Sequence, residues 1–341
     1  MDTKKIGQQT VRFAAPPSIA GYGNAVGKKE GQGPLASYFD YTGQDDSFSE
    51  KSWEKAETAM QKMALNYALE KAGLQPGQLD YIFAGDLLNQ CIATSYSLRA
   101  RNVPFFGLYG ACSTMAESMS LGAMLLDGGF GTHIAAMTSS HFCSAERQYR
   151  NPLEYGGQKP PTAQWTTTGS GAVILSRDGK GPYLTHVTTG KVIDKGITDA
   201  NNMGAAMAPA AFSTLRAHFR DTGRSPSFYD LIVTGDLGSL GKEIVLDFFA
   251  QDGIKLKNYD DCGVLLFDPQ RQDVHAGASG CGCSAVVLTG YLLRQMALGK
   301  LKNLLFCGTG ALHSPTATMQ GESIPGICHA VAITTQSQEG S

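Results

Sequence analysis

The chain repeats itself. Asp80-Tyr-Ile-Phe-Ala-Gly-Asp86-Leu87 recurs as Asp230-Leu-Ile-Val-Thr-Gly-Asp236-Leu237, displaced by 150 residues. Each copy is a short apolar run ending in Gly-Asp-Leu, the pattern of a buried strand that enters a tight turn. A second correspondence follows in the same order. Cys112-Ser113 opens a helical stretch, Thr114 to Leu126, closed by Gly128-Gly129; a strand from His133 to Met137 and then Ser139-Ser140-His141 come next. Cys283-Ser284 opens Ala285 to Leu298, closed by Gly299, followed by a strand from Asn303 to Phe306 and by Gly310-Ala311-Leu312-His313. Cysteine and histidine are 29 residues apart in the first copy and 30 in the second. Two matches in one order mark a duplicated chain.

Both repeated helices are small or apolar all round. Met115, Met119, Leu121, Ala123 and Met124 wrap the first, and Val286, Val287, Leu288, Tyr291, Leu292 and Leu293 the second. A helix apolar on every side has to be buried on every side. Two such helices between two sheets predict an α/β protein of five layers, α/β/α/β/α, with pseudo-two-fold symmetry. The turn cluster Arg177-Asp-Gly-Lys-Gly-Pro182 separates the halves, 1–180 and 181–341. The halves are expected to pack as one body, because each buried helix needs cover from both.

Composition removes several functions. The net charge is −2 with no basic stripe, so nucleic acid is not an expected partner. No signal peptide is visible, and no apolar run approaches the roughly 20 residues that span a bilayer. A soluble chain is expected, with any membrane contact made through a protein partner. The eight cysteines lack the spacing of a zinc site, and in a chain of this kind they read as reduced thiols, most of them buried. No metal or cofactor is expected.

Cys112 is the first candidate for chemistry. A thiol at a helix N-terminus meets unpaired N–H groups and partial positive charge, which favour a nucleophilic thiolate; a small cysteine packed at a crowded helix start is the equal alternative. His141 and His313 occupy repeat-equivalent places and are expected at the mouth of one cavity. His275 and His329 are weaker candidates; His133, His186 and His218 read as packing or surface residues. The segment from Cys143 to Gly169 reads as a long binding loop, whose Arg147, Arg150 and Lys159 offer charge to an anion. Tyr38, Phe39, Tyr41, Phe48 and Trp53 suggest a covering excursion or a dimer contact.

The repeat, with a cysteine opening the first buried helix, resembles the thiolase superfamily, which includes ketoacyl synthases. A narrower set of phrases spans nearly the whole chain: Ala84-Gly-Asp-Leu-Leu-Asn-Gln90, Phe106-Gly-Leu-Tyr-Gly-Ala-Cys-Ser-Thr114, Ala145-Glu-Arg-Gln148, Glu154-Tyr-Gly-Gly-Gln-Lys-Pro160, Gly196-Ile-Thr-Asp199, Met203-Gly204, Ala206-Met-Ala-Pro-Ala-Ala211, Asp261-Cys-Gly263, Cys281-Gly-Cys-Ser-Ala-Val286 and Glu322-Ser-Ile-Pro325. Together they resemble the stage V sporulation AD family. The resemblance implies a thiolase-like fold, a homodimer and the binding of dipicolinic acid, pyridine-2,6-dicarboxylate. It also implies work beside membrane-embedded stage V sporulation A proteins, on the cytoplasmic side of the forespore inner membrane, in moving that compound into the developing spore.

The chain departs from the superfamily's enzymes. Where type III ketoacyl synthases carry His-Gln-Ala-Asn, this chain has Gly235-Asp236-Leu237-Gly238. Their His-Gly-Asn phrase and the Gly-His-Pro of thiolases are not found; His275-Ala276-Gly277 comes nearest. A non-catalytic binding protein is therefore expected, with Cys112, His141, Cys283, His313 and Arg147 as the ligand-binding set. Dipicolinate enters free or as its calcium chelate. Asp86 and Asp236 are expected to bond turn N–H groups. The alternative is a thioester-dependent acyltransferase or condensing enzyme with Cys112 as nucleophile. A third reading is a structural subunit whose ancestral cavity has collapsed.

Overall fold

The computed structural model describes residues 4–150 and 158–336. The first half supplies β1 (Lys5–Ile6), β2 (Thr10–Arg12), β3 (Ser18–Val26), α1 (Trp53–Ala72), β4 (Tyr81–Gly85), α2 (Ile92–Leu98) and β5 (Phe105–Gly107). It continues with α3 (Thr114–Asp127), β6 (His133–Ser140), α4 (Phe142–Tyr149), β7 (Trp165–Thr166) and β8 (Gly169–Ser176). The second half supplies β9 (Tyr183–Thr188), α5 (Met203–Thr222), β10 (Leu231–Thr234), α6 (Gly238–Gln251), β11 (Tyr259–Asp261), α7 (Cys262–Leu266) and β12 (Ala278–Ser279). It ends with α8 (Cys281–Val286), α9 (Leu293–Ala297), β13 (Asn303–Ala311), α10 (Pro315–Met319) and β14 (Gly326–Thr334).

The duplication is visible in the strand order. One sheet runs β5-β4-β6-β8-β3 and the other β11-β10-β13-β14-β9. Counted from the first strand of each, both read third, second, fourth, fifth, first. In each, the fifth strand is antiparallel to both neighbours, and the second, third and fourth are parallel. The sheets touch through a single register pair, Ser18 with Tyr183. The opening segment crosses over: β2 pairs with β9, so residues near the start of the chain extend the second sheet.

The layers follow from where the apolar faces point. Helix α1 is capped by Ser52 and stopped by Gly73 in the left-handed conformation. It buries Ala56, Met60, Ala64, Leu65 and Ala68, a helical stripe laid on β3, β8 and β6. On the far side, α5 covers β14 and β13 and packs on α6. Between the sheets lie α3 and the run from α8 to α9, and α3 touches strands of both sheets. One apolar cluster, including Met115, Met119, Val286, Leu292, Val331 and Phe306, joins the two halves. This is the five-layer α/β arrangement.

Local differences matter for the site. The second central helix begins at Cys281, four residues before the Ala285 expected from the pattern, and makes a π-helical turn at Val287–Leu292. Cys283 thus lies inside that helix and does not open it. Cys112 sits in the 3-10 turn Ala111–Ser113 that leads into α3. The presumed loop after Cys143 begins as helix α4, and its Tyr155, Gly156 and Gly157 fall outside the described residues. Tyr38 packs edge-on against Tyr291 of the second half's central helix, and Trp53 lies 5.4 Å from the His141 ring of the first half.

Candidate functional site

A cavity of about 520 Å³ opens where the two halves meet, at the entrance to α3. Cys112 lies at its inner end, 8% exposed. Two features of the fold place it there. Gly308 and Gly310 of β13 lie under the turn, where a Cβ at Gly310 would stand 2.9 Å from the Gly110 carbonyl oxygen and 3.1 Å from the Ser113 nitrogen. Ala111 takes φ +51°, turning the chain sharply just before the thiol.

The thiol meets a carboxylate. The Cys112 thiol sits beside the carboxylate of Asp236, in the Gly235-Asp236-Leu237-Gly238 turn of the second half. Asp236 is buried and also accepts from Thr309 Oγ1 at 2.8 Å and from the Gly280 N–H at 2.9 Å. Burial raises its carboxyl to about 6 against these stabilising bonds. Burial, with the Asp236 charge behind it, pushes the Cys112 thiol well above its ordinary value. Cys112 is therefore a protonated thiol at neutral pH. The second cysteine beside it is Cys281, whose thiol bonds the Ala111 carbonyl at 3.2 Å.

The outer end is different. His313, two residues past β13, lines the cavity with its ring 5.8 Å from that of Tyr149. Its Nδ1 is buried without a hydrogen-bond partner among the described residues. Burial and then the Arg150 charge lower its pKa, so the ring is neutral at pH 7. Arg150 also lines the cavity, bonded through Nη1 to Glu146, with a buried Nε that has no partner among the described residues. Glu146 is shared: Lys159 reaches it at 3.0 Å and Thr166 Oγ1 at 3.0 Å. Two cations around one carboxylate leave this end positive. Tyr109 and Tyr149 form part of the wall, joined hydroxyl to hydroxyl at 2.7 Å, and Leu87, Leu312 and Met203 supply apolar surface.

The expected site residues separate. Cys112 and His313 line the cavity; His141, Cys283 and Arg147 do not. His141 follows β6 directly and caps α4, with Nδ1 accepting from the Cys143 N–H and Nε2 2.7 Å from the Asp46 carbonyl oxygen. Its fully buried ring has no route to the mouth. Cys283 is fully buried in the central cluster, its thiol toward the Gly235 carbonyl at 3.4 Å. Arg147 points outward and pairs with Glu54. On a helix, residues three and four apart share a face, so Glu146, Tyr149 and Arg150 face the cavity together while Arg147 looks away. Reading Cys143 onward as a loop hid that spacing; read as a helix, it selects Arg150.

Other candidates are structural. His275 lies 3.4 Å from Asp273 outside the cavity, and His329 accepts the Gly190 N–H within β14. All eight cysteines are free. Among the described residues no cluster of three metal-ligating side chains occurs, and no helix is long and apolar enough to cross a membrane.

Comparison with known proteins supplies fold and lineage. The fold is shared with 3-oxoacyl-[acyl-carrier-protein] synthase III of Aquifex aeolicus at a TM-score of 0.56 and 13% identity, over 93% of this chain and 99% of that one. It is shared also with 3-oxoacyl-(acyl carrier protein) synthase III of Xanthomonas oryzae at 0.60 and 14%, over 97% and 100%. At such identities the likeness is one of architecture, here the thiolase-like one. Sequence reaches further. Stage V sporulation protein AD of Bacillus subtilis is 47% identical over 331 residues, 97% of this chain and 98% of that protein. Residues 7–334 match the family described as stage V sporulation protein AD, and the chain belongs to that sporulation family.

Proposed function

We propose that the cavity binds dipicolinic acid and that the chain serves, without catalysing condensation, in delivering that compound to the developing spore. The observation that carries the reading is the carboxylate on Cys112. A condensing cysteine needs a base that accepts its proton and leaves a usable thiolate. Here the nearest acceptor, Asp236, titrates near 6 while the thiol titrates well above 9. Moving the proton across that gap runs strongly uphill, and it would leave the single negative charge on a buried thiolate beside a neutral acid.

What remains suits a flat dicarboxylate. The apolar wall accepts the pyridine ring, and the positive outer end with its unpartnered Arg150 Nε and His313 Nδ1 accepts a carboxylate. Calorimetric titration with dipicolinate, with and without calcium, tests this. Saturable binding near one site per chain is expected, weakened in Cys112→Ala; absence of saturation in both conditions would remove the reading.

The same reading has the chain act as a homodimer on the cytoplasmic side of the forespore inner membrane, with membrane-embedded stage V sporulation A proteins as partners. Phe106, half-exposed on edge strand β5 and stacked on Phe83, supports a self-contact. Sedimentation measures the dimer. The second reading, acyl transfer through Cys112, is favoured by the cysteine's retained place before α3. An acyl mass increment on Cys112 after incubation with acyl-CoA would establish it.

A further inference from the structure

We propose that Arg150 Nε and His313 Nδ1 form the seat for one carboxylate of the bound dianion, and that filling this seat draws a proton from solvent onto the His313 ring. The inference rests on the dipicolinate reading of the cavity. Its own warrant is a pair of orphaned atoms. Buried polar atoms are nearly always hydrogen-bonded, and an unmatched one calls for a partner. Both atoms are buried, both lack a partner among the described residues, and both belong to residues of the cavity wall. They come from opposite halves of the duplicated chain, His313 from the loop after β13 and Arg150 from the end of α4. The Arg150 side chain is 12% exposed and held by Glu146, so its Nε–H is already oriented.

The protonation follows from charge. His313 and Arg150 both line the cavity, the Arg150 charge reaches the His313 ring, and Tyr149 lies against that ring. Glu146 and Lys159 lie behind Arg150 and nearly cancel, and Cys112 with Asp236 lies at the inner end. On its own segment, Ser314, Pro315 and Thr316 carry no charge. Burial first, and the Arg150 charge second, keep the ring neutral. A carboxylate placed between the two offsets the guanidinium and attracts the imidazolium. Nδ1 then holds a proton and donates to the carboxylate, while Arg150 donates through Nε. The balance is one N–H bond formed on the ring and one proton withdrawn from buffer. Both ligand carboxylates are ionised at neutral pH, and they supply no proton.

The test is calorimetry of the full chain with dipicolinate at pH 7 in phosphate and in Tris, whose ionisation enthalpies differ widely. The expected result is a buffer-dependent heat equal to a positive fraction of a proton taken up per site, with affinity rising as pH falls from 8 to 6. In His313→Gln the uptake should vanish and affinity should fall about tenfold. Arg150→Gln should lose ten- to a hundredfold, and Arg150→Lys should recover only part, because ammonium does not reproduce the fixed Nε–H. Asp236 titrates in every variant, so uptake persisting in His313→Gln would assign the proton elsewhere and overturn the inference. Saturable binding with identical heats in both buffers would overturn it too, leaving the dipicolinate reading intact. No binding by the parent chain would sink that reading and this inference together. Where a variant fails to fold, NMR of the His313 ring in the parent decides: its titration midpoint should rise on adding dipicolinate, and an unmoved midpoint refutes the seat.

Discussion

The two Gly-Asp-Leu turns have the same sequence, the same place at the end of a parallel strand, and different jobs. Asp86 does the expected work: its carboxylate accepts from the Leu88 N–H at 2.8 Å and from the Thr94 N–H and Oγ1 at 2.9 and 2.6 Å. Asp236 leaves its own turn unserved. The Leu237 and Gly238 N–H groups are taken by Asp261, which also accepts from Gly263 N–H and Thr234 Oγ1. Asp236 is thereby free to bond Gly280 and Thr309 of its own half and to meet Cys112 across the pseudo-dyad. One half keeps its aspartate for structure. The other has imported a second aspartate for structure and turned the first toward the thiol. A repeat constrains the backbone; it does not fix which side chain serves the turn.

The sharpest way to break the comparison is to remove the importer. Asp261→Ala would orphan three N–H groups in a dry turn, and about 4 kcal/mol of stability should disappear. The denaturant midpoint measures it, and a loss below about 1 kcal/mol would mean that Asp236 can still serve its own turn. Next comes pH. Asp236 has a folded value near 6 against an ordinary 3.8. For a carboxyl raised on folding, the folded state binds the extra proton. Its contribution is full below 3.8 and is lost as pH rises through about 6. At 1.36 kcal/mol per unit this is about 3 kcal/mol. Asp236→Asn should flatten the stability profile between pH 4 and 7 by up to that amount, and an unchanged profile would show that Asp236 is not the titrating group. Asp86→Ala should cost about 2 kcal/mol, since Leu88 and Thr94 lose their acceptor; a milder loss than for Asp236→Asn at pH 5 would reverse the assignment of roles.

Much of the fold was legible because burial writes itself into composition. Apolar runs at 80–87 and 230–237, and two helices without a polar face, left few arrangements besides two sheets around a shared pair of helices. The site was harder. Cys112 and His313 were findable from position, since both follow repeat landmarks. His141 was not separable from His313 by spacing; what separates them is the Asp46 carbonyl, nearly a hundred residues away in sequence, which holds the His141 ring. Cys283 looked like the partner of Cys112 because Cys-Ser recurs, but the turn into α8 is set by Gly280, at φ +96°, and that brings Cys281 forward. Arg150 stood among three loop cations, and only the unrecognised helix would have singled it out over Arg147. Each failure concerns a side chain's direction, which depends on contacts that no local pattern encodes.

The smallest effect tests the thiol itself. Cys112 lines the cavity, so a small electrophile can approach it, yet its proton is held by burial and by the Asp236 charge. Alkylation proceeds through the thiolate. Parent protein treated with iodoacetamide at pH 8 should therefore label Cys112 slowly, as read by peptide mass mapping, with half-buried Cys143, raised to about 11, as an internal comparison. In Asp236→Asn the adjacent charge is gone, and Cys112 labelling should quicken about tenfold, equivalent to one pH unit of easier ionisation, while Cys143 keeps its rate. Slower labelling of Cys112 in that variant would mean that the carboxylate acts as a base and activates the thiol. The chain would then retain the first step of a condensing enzyme with an aspartate as its base, and the two turns would differ in catalytic role as well as in structural service.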